Sequence, residues 1–153
     1  MLPLLPASLL LVHAATTWLL TGLIWFVHVV HYPLFARVGA AGWHAYHQGH
    51  TDRTSWVVIL PMLVELGLAC WLALAPTRGV PAWAAWLGLG LVLAVWAQTF
   101  QGAVPEHNLL ARGHDLEAIA RLVRGNALRT LLWTLRAALV FWMVQRAMTP
   151  VGG

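Results

Sequence analysis

Residues 56–74 read WVVILPMLVELGLACWLAL, and this stretch decides the fold. It is apolar apart from a single carboxylate, Glu65. As a helix it is long enough to cross the ~30 Å hydrocarbon core of a bilayer. Three further stretches of the same kind accompany it, at 9–30, 83–100 and 128–144. Overall the chain is 60% hydrophobic and 9% charged, where an ordinary soluble domain carries about 25% charged residues. A 153-residue chain cannot hide that much apolar surface in one aqueous core. A soluble enzyme, a disordered chain and a fibrous repeat are thereby excluded. The expected fold is all-α: residues 1–153 form one integral membrane domain, a four-helix transmembrane bundle. The first stretch has no positive n-region, and its apolar run exceeds that of a cleaved signal, so it reads as a retained span.

The connections set the topology. Ala75-Pro76-Thr77-Arg78-Gly79-Val80-Pro81 is a tight Pro/Gly turn that makes the second and third spans antiparallel. The other two connections, near 32–53 and 101–127, fall on the opposite side. They carry Arg37, Arg53, Arg112, Arg121 and Arg124, against Arg78 and Arg146 on the short-turn side. The positive-inside bias therefore predicts a multi-pass protein of the cell (inner) membrane, with long loops cytoplasmic and both termini outside. Within the third loop, Asp115 is a good N-cap. Leu116, Ile119, Ala120 and Val123 form one apolar stripe behind it. Gly125 is placed to end that segment, so a short interfacial helix is expected at 115–124. Thr51 or Asp52 is expected to cap the second span. All nine basic residues are Arg, and they lie beside apolar spans, not in a polar basic patch, so nucleic acid is not an expected partner. The partners implied are the lipid bilayer, a small apolar ligand, and a second copy or a larger membrane protein. Cys70 is single and forms no intrachain disulfide.

Polar residues inside the spans carry the functional signal, because an Arg or Asp at a helix centre costs about 2.5–3.5 kcal/mol to insert. Thr21, Trp25, His28 and His31 follow one face of the first span at helical steps. Glu65 lies near the middle of the second span, with Arg136 and Arg129 as its candidate partners. Gln98 and Gln101 mark the third span, and Asn126, Arg129, Trp133 and Arg136 share a face of the fourth. Together these predict a polar cavity near the inner leaflet, with His28, His31, Glu65, Arg129 and Arg136 as candidate catalytic groups. Trp25, Gln98, Gln101, Asn108, Asn126 and Trp133, with Trp96, are the candidate substrate-binding groups. The bland alternatives are a Glu65–Arg136 pair that only fixes helix register, glutamines that only bond between helices, and an Arg129 that snorkels to headgroups.

Histidine is the second signal. His28, His31, His44, His47 and His50 crowd one part of the chain and His107 lies in the other long loop. His44, His47, His50 and His107 are candidate transition-metal ligands, with Glu65 and Glu106 as carboxylate partners. His28 and His31 are the positions a b-type haem would take as axial ligands. The alternative is that several are interfacial side chains. The cofactor is left open, and His13 and His114 are expected to stand apart from any site.

The segment Gly102-Ala103-Val104-Pro105-Glu106-His107-Asn108-Leu109-Leu110, with Asn126-Ala127-Leu128-Arg129-Thr130, resembles the second half of the anthrone-oxygenase-like family of small four-span membrane proteins. In that family a third span ends in a Val-Pro-x-x-Asn type motif and a fourth begins Asn-x-x-Arg-Thr. Pro105, Asn108, Asn126, Arg129 and Thr130 match. The resemblance implies four spans and, as in a few members, oxygenation of polyketide anthrones. Residues 25–35 and 46–51 lie outside it. Three readings of function stay open: an oxidoreductase or oxygenase for an apolar aromatic or quinone-like substrate, a histidine-ligated haem or metal protein, and a non-catalytic accessory membrane subunit.

Overall fold

Apolar helices end where a breaker or a cap ends them, not where the bilayer does. The structure, a computed structural model, describes residues 6–149; the chain ends, 1–5 and 150–153, lie outside the described residues, and with them the expected placement of the termini. Helix α1 (Ala7–Phe26) runs through a π turn (Val27–His31) into α2 (Tyr32–Phe35). Helix α3 (Ala40–Leu74) is followed by α4 (Ala82–Gln98), a second π turn (Thr99–Ala103), α5 (Val104–Leu110) and α6 (Leu116–Met148). Among the described residues there is no strand. Four continuous rods, Ser8–Phe35, Ala40–Leu74, Ala82–Leu110 and Leu116–Met148, are long and apolar enough to cross a membrane. The protein is an all-α, four-helix membrane bundle.

The helix bounds differ from the apolar runs. Helix α3 begins at Gly39, its N-cap, and spans 35 residues. At 1.5 Å per residue that is about 52 Å, well beyond the hydrocarbon core. Residues 40–53 of the connection expected near 32–53 are therefore helix, and neither Thr51 nor Asp52 is a helix cap. Asp115 does cap α6: its carboxylate accepts the amide N–H of Glu117 at 2.8 Å and of Ala118 at 3.0 Å. The helix it starts then runs through Gly125 into the fourth span. The expected interfacial helix at 115–124 is thus the first part of α6, not a separate element. One glycine costs a helix only about 1 kcal/mol, and Asn126 is buried by the packing that follows.

Both π turns sit just before a proline. The Tyr32 N–H reaches back five residues to the Val27 carbonyl, and the Val104 N–H to that of Thr99. Pro33 and Pro105 have no N–H to offer the carbonyl four residues earlier, so the ladder is already open there and a widened turn is cheap. Pro105 thus starts α5 and does not stop the rod.

The rods form a ring in which α1 packs on α3, α3 on α4, α4 on α6 and α6 on α1. Three apolar layers fill it. Leu10, Leu72, Ala84, Ala85 and Met143 lie at the short-turn end. Leu20, Ile24, Met62, Val95 and Trp133 lie in the middle. Val27, Tyr32, Phe35, Trp43, Ala103, Leu110, Ile119 and Leu122 lie at the long-loop end. Exposed Trp56, Leu60, Leu93 and Phe141 form the surface offered to lipid. The tight turn is closed by Gly79, whose φ of +82° and close approach to the Arg146 carbonyl both exclude a side chain.

Candidate functional site

Polar groups occupy two levels between these apolar layers. The first level lies between the short-turn and middle layers. Thr17, four residues after His13 on α1, faces Glu65 of α3, and Arg136 of α6 completes the set. Arg136 Nε donates to Glu65 Oε1 at 2.7 Å, and the guanidinium Nη2 lies 2.8 Å from His13 Nε2. The Thr17 hydroxyl donates to the His13 carbonyl at 2.8 Å and lies 3.3 Å from Glu65 Oε1. All four residues are at most 1% exposed. Gly88 of α4 gives the guanidinium its space: a Cβ there would collide with Arg136 Nη1. The pairing expected of Glu65 and Arg136 is present, but His13, expected to stand apart, is its third member.

The second level lies between the middle layer and the long-loop layer. His31 Nε2 is 2.6 Å from His50 Nδ1, joining the first rod to α3. His47 Nε2 is 3.1 Å from His107 Nδ1, joining α3 to α5. The other nitrogen of His107, Nε2, lies 2.9 Å from the Tyr32 hydroxyl. Arg129 of α6 is within hydrogen-bonding reach of that same hydroxyl and bonds Asn126 Oδ1 at 3.3 Å. The wholly buried Phe35 ring supports the group, edge-on to His50 at 5.0 Å and to His31 at 5.2 Å between centroids.

Trp133 separates the levels. It lies between Arg129 and Arg136, which are seven residues and so about 10 Å apart along α6. Its carbonyl accepts the Thr21 hydroxyl at 3.2 Å. The expected single cavity holding Glu65, Arg129, Arg136 and the histidines is therefore two sites. Arg129 belongs to the histidines, and Glu65 with Arg136 does not.

Among the described residues, the cavities that follow open on the second level's side of Trp133. A chamber of about 220 Å³ carries the polar side chains of Tyr32, His50, Thr54, His107, Asn108 and Arg129 in an otherwise largely apolar wall. A narrower apolar chamber of about 60 Å³, walled by Leu20, Ile24, Met62 and Trp133, joins it. Tyr32, Thr54, Val58 and Arg129 line both. A surface groove of about 280 Å³, lined by His44, His47, Asp52, His107 and Asn108, borders this chamber at Thr51, His107 and Asn108. His31 faces a third recess between α1 and α3.

The remaining predicted residues divide. Trp133, Asn108 and Arg129 line the chambers. Asn126 supports Arg129 from behind. Gln98 reaches only the Gly125 carbonyl, at 3.5 Å. Gln101 is exposed. Trp25 is exposed on the outer face and bonds Thr134 at 3.0 Å; Trp96 stacks on Phe100. His28 lines none of these cavities, because the π turn that starts at Val27 breaks the helical spacing that aligned it with His31. His44 is exposed at the groove. His114 bonds the Phe35 carbonyl at 3.3 Å and packs on Trp43. Glu106 pairs with Arg121 at 2.9 Å and Glu65 with Arg136, so neither carboxylate joins the histidines. Among the described residues, no three His, Cys, Asp or Glu side chains converge as ligands of one ion. Tyr32 was not among the sequence candidates; a tyrosine directly before the helix-opening Pro33 was the available signal.

No protein-family model, curated protein or solved structure matches the chain.

Proposed function

We propose that the protein is a membrane oxidoreductase of the oxygenase type, acting on a hydroxyaromatic or quinone-like molecule held between the two chambers. The observation that carries this reading is the junction itself. Tyr32 and Arg129 stand where a narrow slot lined by Leu20, Ile24, Met62 and Trp133 meets a wider chamber that carries His50, His107 and Asn108. The chamber of about 220 Å³ has room for an aromatic ring with its oxygen against Tyr32 and Arg129, and the slot of about 60 Å³ takes only an apolar edge of it. A guanidinium aimed at that oxygen stabilises a phenolate or enolate as it forms, as preorganised donors do. Dioxygen is the oxidant in this reading: a ring methylene becomes a ketone and the second oxygen atom leaves as water. The resemblance of 102–110 and 126–130 to anthrone-oxygenase-like proteins supports the same substrate class. The excess of arginine at the long-loop end supports a cytoplasmic position for it.

The test is direct. Purified protein in detergent is titrated with 1-naphthol and 1,4-naphthoquinone by calorimetry, and oxygen uptake is followed with an anthrone. Saturable binding that is weakened by Arg129→Gln, with oxygen uptake above that of the empty detergent, is expected. Absence of binding to wild type removes the reading. A Soret band or a stoichiometric metal in the same preparation replaces it with a haem or metal protein.

A further inference from the structure

His107 has both ring nitrogens engaged, on opposite sides and by different partners. Nδ1 faces His47, and Nε2 faces the Tyr32 hydroxyl. Tyr32 lines both chambers, and His47 lines the outer groove while being only 3% exposed itself. An imidazole bonded at both nitrogens can accept a proton at one and release one from the other without moving. Helices α2, α5 and α3 thus hold a continuous hydrogen-bonded line, Tyr32–His107–His47, from the ligand cavity to the groove.

We infer that this line is a proton wire, which lets the cavity bind a phenol or naphthol as its anion by carrying the hydroxyl proton out to the groove. This rests on the cavity reading above and adds the path. In the starting state His107 Nδ1–H donates to His47 Nε2, and His107 Nε2 accepts from Tyr32. The ligand O–H bond breaks as its proton joins the Tyr32 oxygen, and the Tyr32 proton passes to His107 Nε2. The His107 Nδ1 proton passes to His47 Nε2, and the His47 Nδ1 proton leaves to water in the groove. One proton exits, the ligand keeps the electron pair of its O–H bond, and Arg129 faces the resulting anion. No electron transfer is involved. The ionisable groups around the wire are His44, His50 and Asp52 on α3, His31 on the first rod, Glu106 (held by Arg121) on α5 and Arg129 on α6. A second imidazole pair, His31 and His50, abuts the wire but ends at a recess between α1 and α3, not at the groove.

The experiment uses the full chain in detergent at low buffer strength. 1-Naphthol is mixed in by stopped flow. Its absorbance reports naphthol against naphtholate, and a pH dye reports proton release. Wild type is expected to bind naphtholate and release one proton per ligand. His47→Gln is expected to bind the probe as wild type does and His107→Gln to bind it more weakly, and both to release the proton at least about a hundredfold more slowly, the size of a lost acid–base relay. His44→Gln, exposed at the same groove, is expected to match wild type. Added imidazole is expected to restore the rate in His47→Gln, a rescue that a merely structural role would not show. If wild type binds neutral naphthol with no proton release, or if both glutamine variants release at the wild-type rate, the wire is overturned while the cavity stands. If wild type does not bind naphthol, the cavity reading falls and the wire with it.

Discussion

The bundle has two polar levels built from nearly the same residue types, and they differ in what surrounds them. At the His13–Thr17–Glu65–Arg136 level every side chain is closed in by its neighbours, and none lines any of the cavities described. At the Tyr32–His107–Arg129 level the groups point into two chambers and a groove. Intramembrane charge by itself therefore does not identify an active site. A closed ion pair fixes which helix faces which; an ionisable group beside a cavity is free to act on a ligand.

That contrast can be broken at either level. The largest effect is expected at the closed one. Arg136→Met leaves Glu65 buried without its partner and should destabilise the protein by about 3–5 kcal/mol, while Glu65→Leu with Arg136→Met should recover most of that loss. Thermal unfolding in detergent of the two single variants and the double variant measures both. Near-wild-type melting of the single variants would end the claim that this level holds the bundle together. Arg129→Gln should do the opposite. It should weaken 1-naphthol binding by about ten- to a hundredfold, the range of a charge-assisted hydrogen bond, and leave the melting temperature close to wild type. Gly88→Ala should cost about 1–3 kcal/mol by crowding Arg136, with naphthol binding unaltered once folded. The smallest effect belongs to Asp115. Its carboxyl is held below the usual carboxylate range chiefly by the Ala118 amide, with a further contribution from that of Glu117. The cap therefore stabilises α6 at pH values above the ordinary aspartate range, and its contribution fades as pH falls through the lowered value. Asp115→Asn should flatten that acid dependence, read as hydrogen exchange at the first turn of α6.

The spans were legible because a run of about 20 apolar residues has few soluble explanations. Their ends were not, because the polar continuations at 40–55 and 116–127 contain no proline, and the helices run on through Thr51, Asp52 and Gly125, which locally read as caps. Glu65 with Arg136 could be read from the cost of buried charge. Its third member could have been found by extending the first span's stripe backward, since His13, Thr17 and Thr21 are four apart. The histidine tract was visible, but not how it pairs. His31 meets His50 and His47 meets His107 across a first and a third rod that each carry a π turn, and one extra residue per turn leaves no mark in hydrophobic periodicity. Trp133, read as a wall of one cavity, is also the partition that makes two sites.

The excess length of α3 has a consequence for how any ligand arrives. If residues 56–74 fill the hydrocarbon, His50 and His47 stand roughly 9–14 Å beyond it along the helix axis, at the depth of headgroups. Met62, in the wall of the apolar slot, then lies within the hydrocarbon, while His47 and Asp52 of the groove lie beyond it. On the function proposed above, a sparingly soluble guest would come to Tyr32 and Arg129 from the bilayer, at a supply set by its partition coefficient and not by its dissolved concentration. Apparent affinities measured in this protein should scale with the amount of lipid or detergent present.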